Sequence, residues 1–518
     1  MQKYMHLPSA PIRLPISVFV AFFALFFFAS TLSSASTDID MLRADLMDTL
    51  NDKAFQSAHI GIYVQSVSKD ICLFQHNGNK RFLSASNMKL YTSAAALLSL
   101  SPDFTYETKL VTDGIITEGV LKGNLIIIAS GDPTISGHFN NNNPTRVFEN
   151  WADILIQKGV RKIDGDIIAD NSFFNDSAFG AGWHWDDMSN CYSAPKDAFS
   201  FNNNCIALTI FPGNEIDTPA LIKTEPMTGY VLISGNVTTT GKDSQPYIRT
   251  EYLDNSNTIA VTGNIPLDHK KITKYMAVKK PADFGAYVFK ETLVNRGLEV
   301  KGNIYCSRGN CNLIKNPSSL YAGRESAFLT TLAVHFSPKL SEIIKVVNKI
   351  SNNLYAENLL LTIAKKRNKE ANSEEAIAAV REILKKAGIP IESLYMADGS
   401  GLSRFNLITP YETVQLLLAM AHSPYRDVFY NSLAATGEEG TLTNRLREPF
   451  NSTPLNVRAK TGSMTHVRNL SGYLTTKSGE LLAFSFLCNN CDSPNAVVDN
   501  LFNKLLDRLN RFSAAGSD

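Results

Sequence analysis

Ser86-Asn87-Met88-Lys89 runs directly into Leu90-Tyr-Thr-Ser-Ala-Ala-Ala-Leu-Leu-Ser-Leu100, a stretch rich in Ala and Leu that reads as a helix. Three positions apart on a helix, the Ser86 hydroxyl and the Lys89 amine share a face, close enough for proton transfer between them. An ordinary lysine cannot take that proton, because its reference pKa of about 10.4 keeps it charged at neutral pH. Burial or a neighbouring cation must first disfavour the ammonium, and Lys460 is the candidate neighbour. Read in isolation, Ser86 is a helix N-cap and Lys89 a solvated helix residue. Position in the chain separates the two readings.

Ser-x-x-Lys also occurs at Ser66 to Lys69 and at Ser193 to Lys196. The first lies in an alternating stretch with polar turn residues and reads as a hairpin of an edge sheet, with Ser66 and Lys69 on opposite faces. The third contains Pro195 and reads as loop. Downstream, Ser351-Asn352-Asn353 stands at the mouth of the helix-like run Leu354 to Lys366, where capping is the ordinary use of such residues. Further on lies the only Lys-Thr-Gly of the chain, Lys460-Thr461-Gly462, followed by Ser463 and, in this reading, by a hairpin of Leu470 to Thr475 and Leu481 to Cys488. Gly462 would let a ligand backbone approach that strand closely. The three elements occur in the order that a serine acyl-transfer site requires.

With Gly131-Asp-Pro-Thr134, Asp186-Asp-Met-Ser-Asn-Cys-Tyr-Ser-Ala-Pro195, Ser351-Asn-Asn-Leu-Tyr-Ala-Glu357, Asp398-Gly-Ser-Gly-Leu-Ser-Arg404 and Ala459-Lys-Thr-Gly-Ser463, the chain resembles the D-alanyl-D-alanine carboxypeptidase/endopeptidases, class C low-molecular-mass penicillin-binding proteins that carry a large insertion. The resemblance covers nearly the whole mature chain. It implies an α+β fold with an α/β/α penicillin-binding core, a large inserted α/β region and a small all-β region. It implies cleavage of D-Ala-D-Ala termini or D-Ala-diaminopimelate cross-links of peptidoglycan through an acyl-enzyme on Ser86, without a cofactor, and acylation by β-lactams. By the same resemblance Lys89 is the base, Ser351 and Lys460 relay a proton to the leaving amine, and Asn353 orients Lys89 and the substrate amide. Thr461 would bind the terminal carboxylate, and the N–H groups of Ser86 and Ser463 would hold the oxyanion. Asp187, Tyr192 and Arg404 would line a charged pocket for the substrate side chain, edged by Thr465, where relatives can carry a longer amide side chain.

At 518 residues with 44% hydrophobic content, the chain exceeds one typical core and is not generally disordered. A net charge of +1 gives no electrostatic case for a nucleic-acid partner. Residues 1–35 read as a secretory signal, with Lys3 and Arg13, the apolar run Ile16 to Ala29 and a small-residue site ending at Ala35. A periplasmic protein follows, with an uncleaved anchor as the alternative. In an exported chain, seven cysteines favour disulfides. Cys191 with Cys205, Cys306 with Cys311 and Cys488 with Cys491 are near pairs, and Cys72 is left over as a buried thiol. The last two pairs have only loosely zinc-like spacing, and no metal is assigned.

The long separation of Ser86 from Ser351 requires an insertion. Strand Asn124 to Ser130, helix Arg146 to Lys158 and strand Val160 to Ala169 form a βαβ-like unit. Short β-like pieces between about 215 and 275 suggest a nested β module, after which a helix and strand resume from Pro281 to Cys306. The expected division is therefore 36–106 and 316–518 for the catalytic domain, 107–214 and 276–315 for the insertion, and 215–275 for the module. Glu374 to Gly388 and Asn495 to Phe512 are amphipathic helices; the second is expected to pack on the sheet, with peripheral membrane contact as its alternative. No G-x-S-x-G occurs, which disfavours an α/β-hydrolase. A β-lactamase-like hydrolase and a non-catalytic wall-binding protein that keeps the fold remain the competing readings. The pattern assigns no oligomeric state.

Overall fold

The computed structural model describes residues 38–253, 256–307, 329–446 and 455–512. The export segment 1–35 lies outside the described residues, as do Cys311 and with it the Cys306 pairing. No helix among the described residues is long and apolar enough to cross a membrane.

The frame of the site is a six-stranded antiparallel sheet ordered Cys72–His76, His59–Ser66, Leu481–Asn489, Val467–Thr475, Asn456–Met464, Ala434–Ala435. Its middle strand Leu481–Asn489 is covered on both faces, so it reads as a near-continuous apolar run rather than an alternation. One face carries the helix 38–50 and Asn495–Arg511, whose Val498, Leu501, Phe502, Leu505 and Leu509 are buried in one cluster with Phe484, Phe486 and Leu470. That packing occupies the apolar face on which membrane contact would depend. The other face carries Pro410–Ala421, with Met88–Leu100 packed against that helix and Asn353–Lys366 beyond it. Every residue from Met88 to Leu97 is buried, and a helix enclosed on all sides has no polar face to show, hence its run of Ala and Leu.

The two rival Ser-x-x-Lys copies lie elsewhere. Ser66 closes its strand and accepts from the Lys69 N–H at 3.2 Å, so Lys69 belongs to the turn rather than to the opposite strand face, and its amine pairs with Glu480. Lys196 is fastened to Asp176 at 2.6 Å. Lys460-Thr461-Gly462-Ser463 precedes the expected hairpin, which is Val467–Thr475 with Leu481–Asn489, and itself lies in the strand Asn456–Met464, with Lys460 opposite Ser471 and Gly462 opposite Asn469.

Within the insertion, a five-stranded sheet is ordered Ile304–Cys306, Ile167–Asp170, Leu125–Ile128, Glu107–Thr112, Thr330–Phe336. Leu125–Ile128 and Ile167–Asp170 are parallel neighbours joined through Arg146–Gln157, the βαβ unit of the sequence. The single strand expected from Val160 to Ala169 is two strands in two sheets, broken at Gly165, where a Cβ would lie 2.2 Å from the Gly123 carbonyl oxygen. Two expected boundaries also move. Thr330–Phe336 pairs with Glu107–Thr112, which carries the insertion's sheet beyond 315. Cys205–Phe211 pairs with Leu221–Glu225 and Ile272–Ala277, which joins it to the β module rather than to the α/β part. Strand partners set these edges, and partners distant in sequence leave no local trace.

Cys191 and Cys205 are joined by a disulfide, with Cα atoms 5.6 Å apart. The expected Cys488–Cys491 bridge is not formed; both remain thiols packed in the core cluster and hydrogen-bonded to each other, with burial pushing the Cys488 thiol up. Cys306 donates to the Asp283 carboxylate at 2.9 Å, and Cys72 is half-buried rather than enclosed.

Gly401 closes against the turn that precedes Met88–Leu100. Its φ is +84°, and a Cβ there would lie 1.8 Å from the carbonyl oxygen of Ala85, the residue before Ser86. Gly479 has the same φ with nothing within 4 Å of its Cβ position. Gly401→Ala should therefore cost roughly 2–5 kcal/mol, strain plus overpacking, and Gly479→Ala about 1–2 kcal/mol, strain alone. Thermal melts of the two variants beside the wild type check the difference; equal shifts would contradict it.

Candidate active site

Ser86 sits in a single 3-10 turn, Ala85–Asn87, that leads into Met88–Leu100. The turn is fixed from the sheet. Asn469 Nδ2 donates to the carbonyls of Leu83 and Ser84, both at 2.9 Å, and Asn87 Nδ2 donates to Ser471 Oγ at 2.6 Å. Gly462 has its role here: a Cβ would lie 2.9 Å from Asn87 Oδ1 and 3.1 Å from the Ser84 carbonyl oxygen, so the missing side chain admits the Ser86 turn rather than a ligand backbone.

Lys89 is fully buried, and its Nζ lies 3.0 Å from Ser86 Oγ, 2.6 Å from Asn353 Oδ1 and 2.6 Å from the Ser400 carbonyl oxygen. Asn353 Nδ2 donates to the Tyr192 carbonyl at 2.6 Å, which fixes the amide so that Oδ1 faces the lysine. Burial lowers the Lys89 pKa to about 7 against the opposing pull of Asp398 and Glu357. A neutral amine has two hydrogens, and two of its three neighbours can only accept. Those hydrogens go to Asn353 and Ser400, and the lone pair is left facing Ser86 Oγ.

Ser400 is held in turn by Glu357, whose Oε1 accepts from the Ser400 N–H at 2.8 Å and from the Gly399 N–H at 3.1 Å. Burial, with the charge of Asp398, raises the Glu357 pKa to about 7. Asp398 gathers Gly401 N–H, Ser403 N–H, Trp183 Nε1 and Asn406 Nδ2 within 2.6–2.9 Å, folding Asp398 to Arg404 into a tight loop against the helix. None of Ser400, Glu357 and Asp398 carries a role in the sequence reading, although the motifs that contain them are visible there.

Lys460 Nζ donates to Ser351 Oγ at 2.9 Å and to the Thr461 carbonyl at 2.9 Å. Its pKa falls well below the ordinary lysine value, through burial first and the charge of Lys89 second. Burial is the first cause at both lysines, and the repulsion between them, which is mutual, adds to it. Ser351 stands at φ +63°, an uncommon backbone state for a residue with a side chain. Capping of Asn353–Lys366 falls to Asn352, whose side chain accepts from the Tyr355 N–H at 3.1 Å, so Ser351 and Asn353 are both released to the site.

Ser86, Ser351, Asn353 and Ser463 line a cavity of about 390 Å³ together with Asp187, Tyr192, Arg404 and Thr465. The Asp187 carboxylate accepts from the Tyr192 hydroxyl, and Arg404 donates to the Thr465 carbonyl at 3.1 Å. His184 and Asp186 line it too, with no sequence signal for the histidine beyond its place beside the acidic pair. Thr461 stands behind this wall, its hydroxyl bonded to Thr441 Oγ1 at 2.9 Å. Among the described residues no group of three or more His, Cys, Asp or Glu side chains could hold a metal ion. The arrangement offers a hydroxyl, a buried amine beside it, a second lysine–serine pair and two opposite charges among the residues lining one cavity.

Known proteins carry the same arrangement of chain. A D-alanyl-D-alanine carboxypeptidase of an Actinomadura strain is 31% identical over 464 residues, 88% of this chain and 82% of that protein. The D-alanyl-D-alanine carboxypeptidase DacB of Haemophilus influenzae is 29% identical over 445 residues, 84% of this chain and 86% of that one. The crystal structure of penicillin-binding protein 4 from Haemophilus influenzae superposes with a TM-score of 0.74 at 26% identity, covering 90% of this chain and 99% of that one. The pattern of the D-Ala-D-Ala carboxypeptidase 3 (S13) family matches residues 42–508, nearly the whole described length, and the chain belongs to that family.

Proposed function

We propose that this serine DD-peptidase of peptidoglycan uses Ser86 as its nucleophile and works in the periplasm on D-Ala-D-Ala stem-peptide ends and on D-Ala-diaminopimelate cross-links. The supporting observation is the wedge at Lys89, where two neighbours that can only accept leave the lone pair of a neutral amine facing Ser86 Oγ across 3.0 Å. Lys89 takes the hydroxyl proton as Ser86 Oγ bonds to the carbonyl carbon of the penultimate D-alanine. The N–H groups of Ser86 and Ser463 receive the developing oxyanion. Collapse breaks the C–N bond, and the leaving nitrogen is protonated through Ser351 and Lys460. Water then hydrolyses the ester and regenerates Ser86. A β-lactam presents a strained amide to the same hydroxyl, but its leaving nitrogen stays tethered in the acyl-enzyme.

Asp187 and Arg404 are assigned to the diaminopimelate side chain, which ends in an ammonium and a carboxylate. Both residues line the cavity that contains Ser86, and Arg can grip a carboxylate through a two-bond fork. The edge at Thr465 is formed by backbone, since its carbonyl holds Arg404.

Peptide mapping after labelling with a fluorescent penicillin should find the label on Ser86, absent in Ser86→Ala and slowed roughly 10²–10⁴-fold in Lys89→Ala. Label on Ser66 or Ser193 would refute the assignment. Because the ammonium form of Lys89 cannot accept a proton, the acylation rate should fall about tenfold per pH unit below pH about 7 and level off above it. Initial labelling rates across roughly pH 5 to 9 test this; a flat profile would exclude Lys89 as the base. For the side-chain pocket, kcat/KM for a peptide with the free diaminopimelate end should exceed that for one lacking it. Asp187→Asn and Arg404→Ala should each lose a charge-assisted contact worth roughly 1.5–3 kcal/mol, about 10 to 150-fold, with penicillin acylation little changed. Retention of the wild-type preference in both variants would remove the pocket assignment.

A further inference from the structure

A second cavity of about 430 Å³ adjoins the catalytic one, and Asp186 lines both. Its walls are Phe179, Trp185, Met188 and Pro195 from the insertion, facing Tyr252 and Lys279 from the β module and the segment that follows it. Trp185 is 83% exposed, whereas the other two tryptophans of the chain, Trp151 and Trp183, are 2% and 8% exposed. Trp185 and the partly exposed Met188 share the cleft, an apolar surface in a groove beside the catalytic cavity, which is the kind of surface that marks a binding site. The walls are rigidly joined. The Ala277 N–H donates to the Ser189 carbonyl at 2.9 Å, the Tyr252 hydroxyl donates to the Ala277 carbonyl at 2.9 Å, and the Cys191–Cys205 disulfide ties the same turn to the module's first strand. Lys279 stands over the Tyr252 ring, 4.6 Å from its centre.

From this continuity we propose that the Trp185 cleft is a subsite for the N-acetylated amino-sugar ring to which the stem peptide is attached. The inference rests on the peptidoglycan reading of the catalytic cavity. A stem peptide spans roughly 3.5 Å per residue, so a substrate seated at Ser86 carries its sugar onto the surface beside that cavity. A pyranose ring has an apolar C–H face and a polar rim. Trp185 and Met188 suit the face, while the Asp186 carboxylate and Lys279 ammonium at the margins suit hydroxyl and acetamido groups. The ring is uncharged, as the aromatic middle of the cleft requires. The β module thereby gains a function: it supplies the far wall.

All three tryptophans emit but Trp185 alone is exposed, so the part of a fluorescence response that Trp185→Ala removes belongs to Trp185. Titration of the wild-type protein with the peptide-free disaccharide of the glycan strand should shift or quench that emission saturably, and Trp185→Ala should show no response. The disaccharide has no bond for the enzyme to cut, so this measurement is independent of turnover. In parallel, kcat/KM for the disaccharide-linked stem peptide should exceed that for the free stem peptide by about tenfold. Trp185→Ala should lose that advantage through KM, Trp185→Tyr should recover part of it, and neither should alter free-peptide cleavage or penicillin acylation. No fluorescence response to the disaccharide, or a response to free stem peptide alone, would overturn the subsite. Disaccharide binding without D-alanine release from any substrate would overturn the peptidase reading and leave the subsite standing.

Discussion

Enclosure of the Lys89 amine is the constraint on which the rest of the site depends. An ammonium buried away from water is destabilised, so the protein must either pair it with a carboxylate or let it lose its proton. Here the carboxylates of Asp398 and Glu357 stand behind a layer of backbone and act on Lys89 only through the field, while the atoms in contact with the amine are Asn353 Oδ1, the Ser400 carbonyl and Ser86 Oγ. Direct contact with a carboxylate would hold the charge and remove the base. Contact with neutral acceptors alone orients the amine and leaves its pKa near the range where it can act.

This arrangement explains why so many buried polar groups surround one helix turn. Glu357 and Asp398 are occupied with backbone N–H groups of the Gly399 to Ser403 loop, and that loop delivers the Ser400 carbonyl. Gly401 lets the loop close on Ala85, and Gly462 lets the neighbouring strand close on Asn87. Removal of any one of these would cost stability and also change what faces the lysine, because unsatisfied buried polar groups are expensive and seek new partners.

The insertion takes part in the same construction. Its Tyr192 carbonyl fixes the Asn353 amide, its Asp187 faces the cavity, and its disulfide turn joins the β module. Part of the catalytic machinery is therefore oriented from a segment that lies outside the core sheet. In the proposed reading, cleavage and recognition of the substrate's more distant parts would share this wall.

Much of this was legible in the chain before any fold. Ser86 with Lys89 at helical spacing, Ser351 with Asn353 at a helix mouth, and Lys460 in a β-rich tail are the residues whose side chains the fold brings into contact, and local periodicity and residue type were enough to put the first pair on one face. The Cys191–Cys205 pair and the buried last helix follow from similarly local signals. Other features depended on tertiary structure. Which atoms touch Lys89 depends on residues hundreds of positions away, and so does the enclosure that lowers its proton affinity. The edges of the insertion moved because Thr330–Phe336 and Cys205–Phe211 chose distant strand partners. Cys488 and Cys491 remained thiols, in contact but not bridged, although their spacing invites a disulfide. Sequence determined which hydroxyls and amines stand at short spacings, since these are properties of single residues. Burial, register and pairing were decided by the fold, since they are properties of neighbours that only packing brings together.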